Sequence, residues 1–337
     1  MATPGENTTA SKLQYLVPTH WDSTMLEMLK KRVVLWGVAD KKPLPKNSGN
    51  IIKWSRFSPL GPVNAATQGA QPTMFALSAV NVTATLTQFT GQTTTSDLLE
   101  MTAVNSGLMS DIVGQLSYQA ALTVDKYIWL NLLGLTAGGV SAVDYMMPAP
   151  GAILTNGGLN AKFYNTVTTL SGLGATHVLD IAEINRSVAY LDSLDAMPYD
   201  DGNYIGVMDP IVERDLMADT TAVTSWAAWN EYTNPEAMYN HEIGKTHSVR
   251  WLKSTNLFTH NSGVGAGATA HHTFIFGKGA FGVVDFDGGV KTYVIPSSQV
   301  DSYNPAATWS TVAWKITFAS EVLNPSCGLV VITGHVG

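Results

Sequence analysis

RFSPLGPVNAATQGAQPTMFALSAVNVTATLTQFTGQTTTSD runs from Arg56 to Asp97. From Phe57 through Ser96, 40 residues, it contains no Asp, Glu, Lys or Arg. An average soluble domain is about one quarter charged, so about ten charges would be expected there. Thr, Gln, Asn and Gly interrupt every apolar stretch, which excludes a membrane-spanning helix. At one end, NIIKWSRF (Asn50–Phe57) alternates as a strand does; at the other, Val80, Val82, Ala84 and Leu86 alternate within Ala79–Phe89. Pro59, Gly61, Pro62, Gly69 and Pro72 supply turns between them. The pattern predicts two strands and a long tip, an extended hairpin. Polar but uncharged sides suit a surface buried against another molecule, where an unpaired charge costs several kcal/mol.

The whole chain of 337 residues is only 13% charged, about half the usual share. A free surface of that size needs more charge to stay dispersed, so much of it is expected to be covered by copies of itself or by partners. Net charge is −7, unlike a dedicated nucleic-acid binder. The charge is also uneven. Lys30, Lys31, Arg32, Lys41, Lys42, Lys46, Lys53 and Arg56 stand against the single acid Asp40, a window of +7 that leaves −14 elsewhere. Such a window marks either an arm that docks on an acidic neighbour or a solvated face. One cysteine, Cys327, rules out an intrachain disulfide framework. The N-terminal residues show no secretion signal, and no run of eighteen apolar residues exists. A product folded in a reducing, cytoplasmic setting is expected, with no membrane partner.

Beyond the hairpin the periodicity changes. Asp22–Trp36 reads as a short amphipathic helix. From Ser106, the residues Met109, Ile112, Val113, Leu116, Ala120, Val124, Ile128 and Leu132 form one stripe at helical spacing, ending at Gly134. Asp180 with Glu183 three residues on predicts a capped helix through Leu194. Asn203–Met208 reads as a buried strand, and Asp209-Pro210 opens another helix. Strands are expected at Ser248–Leu252, Thr273–Phe276, Gly282–Phe286, Val290–Ile295, Thr311–Phe318 and Gly328–Thr333, the last buried on both faces.

Catalytic signatures fail on spacing. HEIGKTH (His241–His247) places its histidines six apart with Gly244 between, whereas a zinc helix needs them four apart. GKGAFG (Gly277–Gly282) has dinucleotide-loop spacing but leads into the strand-like VVDFDGG, not a helix. There is no Gly-x-Ser-x-Gly elbow. Cys327 beside a buried strand reads as inert packing, and His271-His272 as a solvated loop pair. No catalytic, cofactor-binding or metal residue is assigned, no cofactor is expected, and an enzyme is not expected.

The order of parts resembles the tailed-phage major capsid protein. Specific stretches are similar to the coat-protein family typified by phage N-four: DKKPLPKNSGNIIKWSRFSPL (Asp40–Leu60), LTQFTGQTTTSDLLE (Leu86–Glu100), YIGVMDPIVERDLMAD (Tyr204–Asp219), NPEAMYNHEIGKTHSVRWLKSTN (Asn234–Asn256) and TWSTVAWKITFASEVLNP (Thr308–Pro325). The resemblance implies an α+β, Hong Kong 97-like fold. Its parts would be an N-terminal arm (1–48), an E-loop hairpin (49–96), a P-domain with a long spine helix (97–178), an A-domain (179–304) and C-terminal strands returning to the P-domain (305–337).

The implied role is an icosahedral virion shell around double-stranded DNA, made and assembled in the host cytoplasm. Partners would be the chain itself as hexamers and pentamers, portal, scaffolding and optional decoration proteins, and DNA held without sequence specificity. Trp54, Arg56, Phe75, Thr83, Thr85 and Phe89 are the expected inter-subunit contacts. Lys30, Lys31, Arg32, Lys41, Lys42 and Lys46 form the basic arm, facing DNA or an acidic neighbour. No long, highly charged helical segment precedes the arm, so a separate scaffold and an untrimmed chain are expected. Two rival readings stand beside this one: an encapsulin-like nanocompartment shell, and an extracellular β-rich binding module. Some relatives cross-link their shells through a hairpin lysine, and Phe57–Ser96 offers none. Boiled, reduced assemblies should therefore run as one monomer band on a denaturing gel; a ladder would contradict this.

Overall fold

The computed structural model describes residues 33–44, 49–63, 65, 68–69, 71, 74–97, 108–134, 158–164, 167, 170–218, 242–260, 264–265, 267–286, 289–297 and 304–336. Along the chain come α1 (Leu35–Val38), β1 (Asp40–Leu44), β2 (Ile51–Phe57), β3 (Ala79–Thr85), β4 (Thr87–Ser96) and α2 (Leu108–Leu132). Then follow β5 (Asn160–Phe163), α3 (Ile181–Ser193), β6 (Tyr204–Met208), α4 (Pro210–Ala218), β7 (Glu242–Thr246), β8 (Val249–Lys253) and β9 (Thr259–His260). The chain closes with β10 (Thr269–Phe276), β11 (Phe281–Phe286), β12 (Lys291–Ile295), β13 (Trp309–Val322) and β14 (Gly328–His335). Of the helix expected over Asp22–Trp36, the part before Val33 lies outside the described residues.

The long apolar stripe is buried from Val113 on, with Ile112 half-buried and the Met109 side chain outside the described residues. Val113, Leu116, Ala120, Val124, Ile128 and Leu132 are all buried along α2, the spine helix. Asp180 caps α3 by accepting the Glu183 N–H at 2.6 Å. The Glu183 side chain is itself fully buried and bonds Lys162 of β5 at 2.9 Å and Arg186 at 2.7 Å.

Two sheets flank the spine. The larger runs β5-β14-β10-β6-β8-β7, with β9 also on β10. Each central strand sends alternate residues to opposite sides, as the period of two requires. Phe274, Phe276, Val330 and Ile332 join the core around the spine helix. Ile275, Leu329 and Val331 join Ile184, Leu191, Val212 and Leu216 of α3 and α4. In the second sheet β13 is central, with β4 along one edge and β11 and β12 along the other, and β1 pairs in parallel with β11.

The strand pairing cuts across the expected ranges 179–304 and 305–337. Gly328–His335 lies between β5 and β10, in the sheet that carries α3 and α4, with Val330 and Ile332 facing the spine-helix core. All eight of its residues are buried. A strand apolar on both faces needs cover on both, which only the middle of that sheet provides. Conversely β11 and β12, expected within the 179–304 lobe, pair with β13. His271 and His272 are also not solvated: β10 begins at Thr269, and the two are 2% and 1% exposed.

Gly206 of β6 shows how tightly the large sheet is packed. A Cβ there would lie 2.4 Å from two ring carbons of the fully buried Trp251. Gly206→Ala is expected to cost about 1–3 kcal/mol by overpacking, read as a lower denaturant midpoint with an unchanged slope.

Candidate intersubunit surface

The uncharged run divides into a root and a tip. At the root, β2 and β3 pair Ile52 with Ala84 and Trp54 with Val82. Ile52 and Ala84 are buried against Val284 of β11 and Ala319 of β13, with Trp54 and Leu86 packed alongside. The Lys42 ammonium lies 5.9 Å from the centre of the Trp54 ring and donates to the Lys53 carbonyl at 2.8 Å. Arg56, on the same face, donates to the Asn324 side chain. The next strand carries Phe89 into the subunit core, its ring 5.0 Å from Tyr127 and 5.2 Å from Phe318.

Toward the tip this cover ends. Phe57 is 65% exposed, Val63 69% and Met74 78%; Leu60, Phe75, Leu77 and Val80 are exposed as well. On the outer face of the root, Thr83 lies opposite Lys53 and Thr85 opposite Ile51, and all four are exposed. The hairpin is thus anchored along one face at its base and bare beyond it. Exposed apolar groups contiguous along one element mark a site for another molecule.

The expected contact residues therefore separate into two sets. Phe75, Thr83 and Thr85 lie on the exposed surface. Trp54, Arg56 and Phe89 are turned to their own subunit, because the inner face of the hairpin root is needed to hold it to the body. Lys41 and Lys42 lie on β1, and Lys42 is committed to the hairpin. Lys30, Lys31, Arg32 and Lys46 lie outside the described residues. Sequence alternation separated the two faces of β3 but gave no sign of which one met the body; the pairing of Trp54 with Gly282, where a Cβ would lie 3.1 Å from the indole, decides it.

One cluster has the connectivity of a nucleophile relay. Asp215 Oδ2 lies 2.6 Å from His335 Nδ1, and His335 Nε2 lies 2.8 Å from Thr333 Oγ1. His271 stands beside it, ring centres 5.2 Å apart, with its own carboxylate partner Asp209 at 3.1 Å. Thr333 and His335 have no exposed surface, so no substrate reaches the hydroxyl. What the pairs do is tie α4 to the ends of β10 and β14, missed in the sequence because the partners lie 62 and 120 residues apart. Within HEIGKTH, Glu242–Thr246 is strand β7 running into a turn at His247, not a zinc helix, and His241 lies outside the described residues. Among the described residues no group of three His, Cys, Asp or Glu is placed to hold a metal. Cys327 is buried and accepts from the Asn324 amide at 2.9 Å.

No family model and no curated protein matches the chain. Solved structures do. The capsid of Ralstonia phage GP4 is similar over 88% of this chain and 87% of that one, at 15% identity and a TM-score of 0.64. The capsid asymmetric unit of Cyanophage Pam1 is similar over 87% of each chain, at 15% identity and 0.56. The capsid of a native GTA particle is similar over 88% of each, at 12% identity and 0.54. The likeness is one of fold: this is the Hong Kong 97-like fold of tailed-phage capsid proteins.

Burial holds the His335 imidazole below its usual range, aided by the nearby His271 and opposed by the Asp215 hydrogen bond. The unfolded chain then binds the proton more readily, so this contact stabilises above the ordinary histidine value and is lost as pH falls below it. The stability gap between wild type and His335→Asn should be widest at pH 8 and narrow toward pH 5. Chemical denaturation at both values measures it, and a gap that widens in acid would contradict the assignment.

Proposed function

We propose that the chain is the major capsid protein of a tailed phage, self-assembling into the icosahedral shell around double-stranded DNA. One observation carries this reading beyond the fold. A 40-residue uncharged stretch is held to the body through the hairpin root and the β4 ladder, and presents bare apolar side chains along its tip. Such a surface is costly on a lone subunit and is accounted for when a neighbouring copy covers it. The contact is heterologous, hairpin of one copy on another face of the next, and repeats of that kind close into rings and shells. Each contact can be weak because every subunit makes several, and closure multiplies them.

The charge distribution fits the same reading. A net-negative chain does not grip phosphate along its whole surface, which suits DNA that must later leave. The +7 window around the arm is read as docking on an acidic neighbouring copy. Portal, scaffolding and decoration proteins, DNA without sequence specificity, and assembly in the host cytoplasm belong to this proposal. No observation favours a nanocompartment or an extracellular binding module over it. The role is structural, with no catalytic step assigned.

Electron microscopy of the chain expressed alone or with its scaffold should show closed shells; dispersed monomers under all conditions would count against the reading. The sharper test is a charge on the outer hairpin face. Thr83 and Thr85 are exposed in the subunit, and a glutamate at 83 would stand opposite Lys53, a pairing that sheets tolerate or favour. Thr83→Glu and Thr85→Glu should therefore leave folded, soluble subunits. In the shell the same charge would be stranded at a desolvated contact, a loss of about 1–3 kcal/mol per copy. Sedimentation of lysates should show few particles and abundant free subunit; wild-type particle yield would overturn the assignment of this face.

A further inference from the structure

Asp125 lies in the middle of the spine helix and is 1% exposed. Its Oδ2 is 3.3 Å from the Val34 nitrogen and its Oδ1 3.3 Å from the Leu35 nitrogen, and both amides donate to it. Val34 is the N-cap of α1 and supplies no side-chain cap of its own. A carboxyl from the spine helix thus caps the arm helix from 90 residues away. Both bonds are at the long end of the hydrogen-bond range, and both donors are neutral. An ionised carboxylate so deeply buried, with no cation among the described residues bonded to it, is costly.

Among the described residues, the surrounding elements offer no compensating charge; Lys30, Lys31 and Arg32, just before the segment, lie outside them. Residues 33–39 contain no ionisable side chain. Asp40, next in the chain, faces Lys278 and the Gly279 N–H. Tyr199 donates to the Val38 carbonyl, closing the other end of α1. Lys126 and Tyr127 share the helix with Asp125, Lys315 and Glu321 lie on β13, and His272 lies on β10 with its Nδ1 at the Phe258 carbonyl. None of these is bonded to Asp125, whose partners are the two backbone amides.

We propose that docking of the arm segment Val34–Val38 on the spine helix is proton-linked through Asp125, the docked arm holding one proton more than the displaced arm. Burial pushes the Asp125 carboxyl up to about 7, against a partial lowering by the two amides. Displacing the arm admits water and returns the carboxyl toward its ordinary value near 4. A carboxyl raised in the docked state binds its proton there and releases it on displacement. Docking is therefore strongest in acid, weakens as pH rises from about 4 to about 7, and is level above that. The inference does not rest on the assembly role and can be tested on the dispersed chain.

Hydrogen exchange of the full chain, corrected for the intrinsic base dependence, reads the linkage. Protection of the Val34–Val38 amides should fall by up to about tenfold per pH unit between pH 5 and 7, while the α3 amides stay level. Asp125→Asn, which removes the titration and keeps one accepting oxygen, should make the protection independent of pH. Wild-type protection independent of pH, or the same pH profile in Asp125→Asn, would overturn the proposal. Carbon-13 NMR of the Asp125 carboxyl decides the case without any variant. A midpoint near neutrality supports it, and one near 4 overturns it.

Discussion

Four stretches of chain remote in sequence meet at the ring of Phe318. Trp36 approaches it edge-on from the arm at 5.7 Å, Phe89 from the hairpin's return strand at 5.2 Å and Tyr127 from the spine helix at 5.0 Å. Phe318 is fully buried on β13. Each aromatic pair is worth about 0.5–1.5 kcal/mol beyond the area it buries, but its consequence here is geometric. The direction of the hairpin is set by β4, and β4 is fixed by a ladder to β13 from Thr87 to Ser96 with Phe89 inserted into this cluster. Without that anchorage the tip would have no defined place to reach. The body of the subunit serves as the rigid mount of an arm and a hairpin.

On the reading proposed here, the low charge of the chain follows from the same mount. A hairpin held only at its root buries little of its own surface in its own subunit. Its solubility before assembly rests on Thr, Gln, Asn and Ser, which stay hydrated when free and cost less than ions to desolvate. Two of the charges near it are used inward, while Lys53 stays on the outer face. Lys42 lies by Trp54 and Arg56 bonds Asn324, so the root is fastened by cations that stay at the edge of the contact.

What could be read from the sequence was local. The spine helix announced itself by a stripe from Val113 to Leu132, the start of α3 by Asp180, and the start of α4 by Asp209-Pro210, because capping and helical period involve neighbours within a turn. The hairpin was visible in its alternation and lack of charge. What could not be read was pairing at a distance. Alternation shows that a strand has two faces, not which partner lies along its edge. Thus the apolar Gly328–Thr333 was expected to be buried on both sides and is, yet its place between β5 and β10 was not recoverable. Trp54 and Phe89 looked like contact residues because nothing local distinguishes an aromatic ring that meets its own body from one that meets a neighbour. His271 and His272 looked solvated beside Gly and Ala, since their partners, Asp209 and the Phe258 carbonyl, come from distant segments.

The two buried titrating sites pull in opposite directions. A carboxyl and an imidazole both resist carrying charge in a core, but the neutral carboxyl holds a proton and the neutral imidazole has given one up. Burial therefore makes Asp125 favour the docked arm in acid and makes His335 favour the α4 clamp toward alkali. The sites act on different parts: one holds the arm to the spine helix, the other holds α4 to β14. A single change of pH thus cannot loosen both. Falling pH strains α4 while tightening the arm, and rising pH does the reverse. The core between them, built on Phe318 and the apolar side chains inside the large sheet, is left to hold its shape while the two ends respond separately.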